Sequence, residues 1–89
     1  MEDLGAPVSY LTLAEGAPVY ASDGQKVGKV TRVMADLGVD VFEGIVLETG
    51  ILPPSYRFVD AEQIAELRER GVVLAVDSHL VESLPKHRT

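Results

Sequence analysis

Few residues in this chain have the types and spacing that catalysis or ligand binding requires, and each such group also has a plain structural role. Gly24-Gln25-Lys26-Val27-Gly28-Lys29 comes near a phosphate-binding loop, whose backbone amides cradle phosphate ahead of a helix. Here only three residues separate the glycines, Val30 stands where a Ser or Thr should hold magnesium, and the segment enters a strand. Asp77-Ser78-His79 contains the three residue types of a nucleophile relay. Neighbours on one helical turn point in different directions and cannot form that relay, so a helix cap is the better role. His87 lies in a Pro-Lys-His-Arg tail that reads as frayed, and two isolated histidines do not make a metal site. Asp36 and Asp40 bracket a turn and, with Glu43, offer oxygen ligands, yet they lack the dense acidic spacing and turn glycine of a calcium loop. Glu62, Glu66 and Glu69 would share one face of a helix, but no partner is supplied that would raise one carboxyl toward acid catalysis. Ser9, Ser22, Ser55 and Ser83 gain a histidine base only if a tail or cap residue is put at the centre of the site. The expectation is a chain that is not an enzyme, with no catalytic, cofactor-binding or metal-binding residues and no cofactor.

Lys26, Lys29 and Arg32 fall inside one seven-residue window and form a candidate basic patch. Docking RNA there requires all three on one exposed face, preferably with an aromatic platform, and Tyr20 is the only aromatic nearby. The competing role is solvation of a strand that guards the sheet against edge pairing. Eight Lys and Arg against fourteen Asp and Glu give a net charge of −6, which repels a phosphate backbone at long range. Nucleic acid is therefore not the expected partner.

These groups must be positioned by a small scaffold. Eighty-nine residues make one domain, which buries about 60 to 65% of the surface its unfolded chain exposes. Without cysteine, neither disulfides nor thiolate-held zinc can supplement that core. The N-terminus opens on Glu2 and Asp3, unlike a secretory signal. The longest apolar stretch, 71–76, is far short of the roughly 20 residues that span a bilayer. A soluble, cytoplasmic protein without membrane insertion is expected.

Residues 1–14 read as a lead-in segment, residues 15–85 as the domain and residues 86–89 as a C-terminal tail. A short strand over 17–21 ends at Ser22-Asp23-Gly24, and Asp-Gly between apolar runs signals a hairpin whose central positions need positive φ. The next strand, 27–36, has apolar residues at 27, 30, 33 and 34. That spacing breaks the two-residue period and predicts a bulge or bend, which Gly28 would suit. A connection over 37–42 leads to a strand over 43–49, with Ile45 and Leu47 on one face and Val46 on the other. Pro53 and Pro54 interrupt any ladder before a fourth strand, 56–59. Val72, Leu74 and Val76 alternate in a buried strand, and Asp77 or Ser78 caps a short helix that Pro85 stops. Residues 60–70 admit two readings. Local signals favour a helix with Asp60 as N-cap, Gln63 three residues on and Gly71 past the end. The other reading is one helical turn over 60–63, a strand over 64–67 and a hairpin turn over 68–71.

Taken in order, these features resemble the PRC-barrel family, the domain shared by the photosynthetic reaction centre H subunit and the C-terminal half of a small-subunit ribosome maturation factor. The residues carrying the resemblance are Gly16-Ala17-Pro18-Val19-Tyr20, Asp23-Gly24 with Val27-Gly28-Lys29-Val30, and Asp36. Phe42-Glu43-Gly44-Ile45-Val46-Leu47-Glu48, Arg57-Phe58-Val59, Ala61-Glu62-Gln63-Ile64 and 72–76 follow, so that it covers 15–85. It implies a mainly β fold, a small six-stranded antiparallel PRC-type β-barrel with a short C-terminal helix, and a strand at 64–67. It also implies an assembly or docking module with no catalytic residue.

The expected activity is protein interaction, with a partner of unknown identity and self-association as a homodimer or larger assembly; the alternatives are an RNA- or ribosome-associated factor using the basic patch and, after it, a small-ligand binder. Val19, Val30, Ile45, Leu47, Phe58, Leu74 and Val76 already claim the small interior. Ile51, Leu52, Pro53, Pro54 and Tyr56 are therefore the candidate protein interface. Burying Ile51, Leu52 and Tyr56 would remove about 300 Å² of apolar area, worth roughly 7 kcal/mol per chain before association costs. The same loop folding over an open end of its own barrel is the alternative.

Overall fold

The computed structural model describes residues 3–50 and 54–87. Six strands form one sheet: β1 (Pro18–Tyr20), β2 (Lys26–Asp36), β3 (Val41–Thr49), β4 (Ser55–Asp60), β5 (Ile64–Arg68) and β6 (Gly71–Leu74). Helix α1 (Ser78–Val81) follows, with Asp77 as its N-cap. The spatial order is β4-β3-β2-β1-β6-β5.

Two expectations about the barrel need correction. β1 pairs with β6 in parallel, so the sheet is mixed and not wholly antiparallel. The sheet also stays open, because β4 and β5 end it as edge strands. Terminal segments occupy the positions a closing ladder would use. The amides of Val8, Glu69 and Arg70 donate to Leu67, Ala6 and Leu4, which seats the lead-in along β5. The amides of Phe58 and His87 donate to Pro85 and Tyr56, which seats the C-terminal segment along β4. His87 is thus paired to the sheet, where a frayed tail was expected.

β2 explains its own broken period. Between Val19 and Tyr20 of β1 the pairing on β2 steps from Gly28 to Lys26, so Val27 is an extra residue. Between Leu47 and Val46 of β3 it steps from Val30 to Arg32, which makes Thr31 a second one. Each insertion resets the alternation, and Val27, Val30 and Val33 all turn toward the core. At Gly28 the strands nearly touch: a Cβ there would lie 2.0 Å from the Glu48 carbonyl oxygen.

The hairpin at Asp23-Gly24 forms with a different turn from the one expected. The Gly24 amide donates to Ala21 and Gly24 has φ 89°, while Asp23 keeps a negative φ. Only one left-handed residue is needed, so this is a turn followed by a left-handed glycine. In the ambiguous segment, Asp60 and Gln63 make a reciprocal capping box around a single 3₁₀ turn, Ala61–Gln63. β5 then pairs antiparallel with β6. The helix signals are real but span one turn.

Val19, Val30, Ile45, Leu47, Val59, Val72 and Leu74 build the core, closed by Leu13 from the lead-in and by Val81 and Leu84 around α1. Phe58 is not in it. Ile45 pairs with Val59 and Val46 with Phe58, which places Phe58 on the outer face against Gly44. Val76 packs at the core margin, partly buried.

Candidate functional site

The β2 and β3 register decides where the basic residues go. Val30 and Val33 point inward opposite Leu47 and Ile45, so Lys29, opposite Glu48, and Arg32, opposite Val46, face outward. Lys26 lies opposite Tyr20, which alternates with the buried Val19. Lys26, Lys29 and Arg32 are all exposed, and they share the outer face of the sheet. Lys29 sits 3.6 Å from the Glu48 carboxylate, and Tyr20 is half-buried. Three cations with one anion among them form a small positive patch, well below the charge that tracks a nucleic-acid backbone through 6–10 phosphate contacts (about that many in strong binders).

Among the described residues, the other arginines serve the scaffold. Arg57 donates to the Leu84 carbonyl at 2.8 Å, and Arg68 bonds Glu66 and, at 3.2 Å, the Gly5 carbonyl. Arg70 donates to the Asp3 carbonyl at 3.2 Å. Each ties a terminal segment to the sheet.

The candidate interface is only partly within view. Ile51, Leu52 and Pro53 lie outside the described residues, Pro54 is exposed, and Tyr56 is half-buried on β4. Among the described residues, most exposed large apolar groups gather elsewhere, with Leu80 on α1 apart from them. Leu37 is 72% exposed, Val39 67% and Val41 48%, all at the tip of the β2–β3 hairpin. Leu11, 64% exposed, lines the same recess as Leu37. Asp40 takes a left-handed conformation, φ 54°, and the Asp36 carboxylate accepts from the Gly38 amide, so the acidic pair shapes the turn. Tyr10 joins lead-in to hairpin. Its ring stacks on Phe42 at 5.1 Å and its hydroxyl donates to Asp40, a bond that, with some desolvation and the carboxylate's charge, raises the phenol pKa. Residues 37–42 read in the sequence as a plain connection; three apolar side chains in so short a turn, Leu37, Val39 and Val41, were the available signal.

Groups with catalytic potential are held in structural bonds. The Ser78 hydroxyl donates to Asp23 at 2.6 Å, and the Ser78 amide does so at 3.3 Å. The hydroxyl bond, aided by the Gln25 and Ser78 amides and opposed by desolvation, lowers the Asp23 pKa. Asp77 caps α1 through the Leu80 amide at 3.0 Å, and His79 is exposed beside it. A recess of about 540 Å³ gathers Glu43, Asp60, Glu62 and His87 around Phe58. This grouping escaped the sequence reading because it depends on the tail folding back along β4. Asp60 is already committed to its cap. Among the described residues no cluster of His, Asp and Glu is arranged to hold a metal ion, and no helix is long and apolar enough to cross a membrane.

A comparison with curated protein sequences returns no match. The profile of the PRC-barrel domain matches residues 7–80, and that span includes the Asp23-Gly24 hairpin, the bulged β2 and the β5–β6 pair. Domains of this kind are generally small modules without catalytic activity, and this chain belongs to the PRC-barrel domain family.

Proposed function

We propose that this chain is a non-catalytic protein-interaction module that associates with itself. The observation carrying this reading is the apolar group at one end of the sheet, where Leu11, Leu37, Val39 and Val41 stand in solvent. An isolated exposed leucine needs no explanation, but several exposed apolar side chains gathered at one end of a small domain favour an interaction surface. The engagement of Ser78, Asp23, Asp60 and Asp77 in turns and caps supports a structural and not a catalytic use of those groups.

The segment with Ile51, Leu52, Pro53, Pro54 and Tyr56 is a second contact in this proposal, with its prolines limiting the entropy lost on docking. Sedimentation velocity of the wild type and of Leu52→Asp, from micromolar to near-millimolar protein, tests both parts. A wild type that stays monomeric throughout overturns self-association. A folded Leu52→Asp variant that becomes monomeric places the contact at 51–56, whereas one that associates like the wild type moves it elsewhere.

A further inference from the structure

The exposed hairpin tip and the basic outer face complement one another chemically. The tip, residues 36–41, carries Asp36 and Asp40 beside the exposed Leu37, Val39 and Val41. The face carries Lys26, Lys29 and Arg32, and the two lysines line a recess of about 530 Å³ with Val27, Gly28 and Glu48, while Arg32 stands beyond it. We propose that the tip of one copy docks on the cationic face of a second copy, so that the chains join head to tail. This rests on the reading of the chain as self-associating.

Three arguments favour this occupant. The tip does not reach Lys26 and Lys29 of its own face, because eight residue steps along β2 separate Lys29 from Leu37, about 26 Å at roughly 3.3 Å per residue. A symmetric tip-to-tip contact would oppose Asp36 and Asp40 to their own copies, like charge against like. Docked on the face, the same carboxylates meet cations. Lys26 and Arg32 have no ion-pair partner among the described residues, and Lys29 remains largely exposed beside Glu48. Because the donor and acceptor surfaces differ, the contact is heterologous and propagates into a ring or a filament.

Two variants and their mixture test the arrangement. In the tip variant Leu37→Asp is combined with Val39→Asp, and in the face variant Lys26→Glu with Lys29→Glu. All four positions are exposed apart from the chain's core, and thermal melts verify that both variants fold. Sedimentation should show wild-type mass growing through successive multiples of the monomer with concentration, more weakly at high salt. Each variant alone should associate at least tenfold more weakly, the loss of about 1.4 kcal/mol or more. An equimolar mixture should form a 1:1 complex that grows no further, since the face variant supplies an intact tip and the tip variant an intact face. A wild type that never associates overturns this proposal together with the self-association reading. If the wild type associates but the mixture remains monomeric, or the face variant associates like the wild type, the head-to-tail contact is wrong and self-association stands. A wild type that stays monomeric but binds single-stranded RNA, with the face variant losing that binding, gives the patch to nucleic acid instead.

Discussion

Gly28→Ala is the most direct probe of how β2 crosses β3. The added methyl would sit 2.0 Å from the Glu48 carbonyl oxygen, 3.0 Å from its carbonyl carbon and 2.7 Å from the Leu47 Cδ1. Leu47 can shift its side chain, but the two backbone atoms belong to the ladder that pairs Lys29 with Glu48. The strands must therefore part by more than an ångström at the start of the longest pairing in the sheet. Overpacking of this kind costs about 1–3 kcal/mol, and an immovable backbone neighbour puts Gly28 at the upper end. Alanine also restricts the unfolded chain, which returns about 0.4–1 kcal/mol. The clash wins, leaving a net loss of about 2 kcal/mol, out of a stability of roughly 5–13 kcal/mol for a domain of this length. At about 4–8 °C per kcal/mol, the melting temperature should fall by roughly 8–16 °C while folding remains cooperative. Differential scanning calorimetry or a far-ultraviolet circular dichroism melt reads this directly. A variant melting within about 3 °C of the wild type would show that the two strands separate freely here, contrary to the packing described.

Gly24→Val tests the turn without that complication, because beyond its chain neighbours no atom lies within 4 Å of the position its Cβ would take. Strain at φ 89° alone should cost about 1–2 kcal/mol, and a melt unchanged from wild type would remove the case for this turn. Asp23 has a folded pKa below its unfolded value, so its stabilising effect is present above about pH 4 and is lost as pH falls through the folded pKa. Urea titrations of wild type and Asp23→Asn should therefore differ at pH 7 and converge as pH falls below about 4 and through the folded pKa; a difference that does not shrink at all on acidification would assign the effect to something other than the carboxylate's charge.

What the sequence made legible was local. The spacing of Val27, Val30 and Val33 predicted a bulged strand, and the register shifts at Val27 and Thr31 supply it. The capping signals at Asp60 and Gln63 were read correctly as signals, but their extent was not local. β5 leaves the turn because the Ala75 amide donates to the Gln63 carbonyl and the ladder with β6 takes the next residues. Here tertiary pairing overrides propensity. Phe58 illustrates a parity problem. In Arg57-Phe58-Val59 the apolar pair occupies both faces, and only the register against Ile45 and Val46 shows that Val59 goes in and Phe58 out. The parallel β1–β6 pair joins residues more than fifty positions apart, and no periodicity reports such a partner. Leu4 and Leu13 are buried although their surroundings carry little pattern, because their burial depends on the lead-in docking to β5 and to the hairpin. At the candidate site, the basic trio was visible as a cluster, but its shared face follows from the bulges. The apolar hairpin tip was treated as connection, since a turn rich in Leu and Val resembles the start of the next strand.

The way the sheet ends constrains how any partner approaches. Many interaction domains recruit a peptide by adding its strand to a free edge, where backbone hydrogen bonds supply affinity. Here residues 4–8 lie along β5 and residues 85–87 along β4, held by backbone bonds and by Arg57, Arg68 and Arg70. Strand addition would first have to displace one of these segments and leave an arginine without its carbonyl partner. Covering the edges also suppresses unselective pairing between copies, which an open six-stranded sheet otherwise invites. Contacts made through the hairpin tip and the outer face would escape both constraints, because they use side chains and leave the edge pairing in place; the lead-in meets the tip through Tyr10 on Phe42 and Asp40, while Leu37, Val39 and Val41 remain exposed. In the proposed contact, specificity would come from side chains, apolar groups at the tip and cations on the face, which the sequence can vary without altering the ladder that holds the fold.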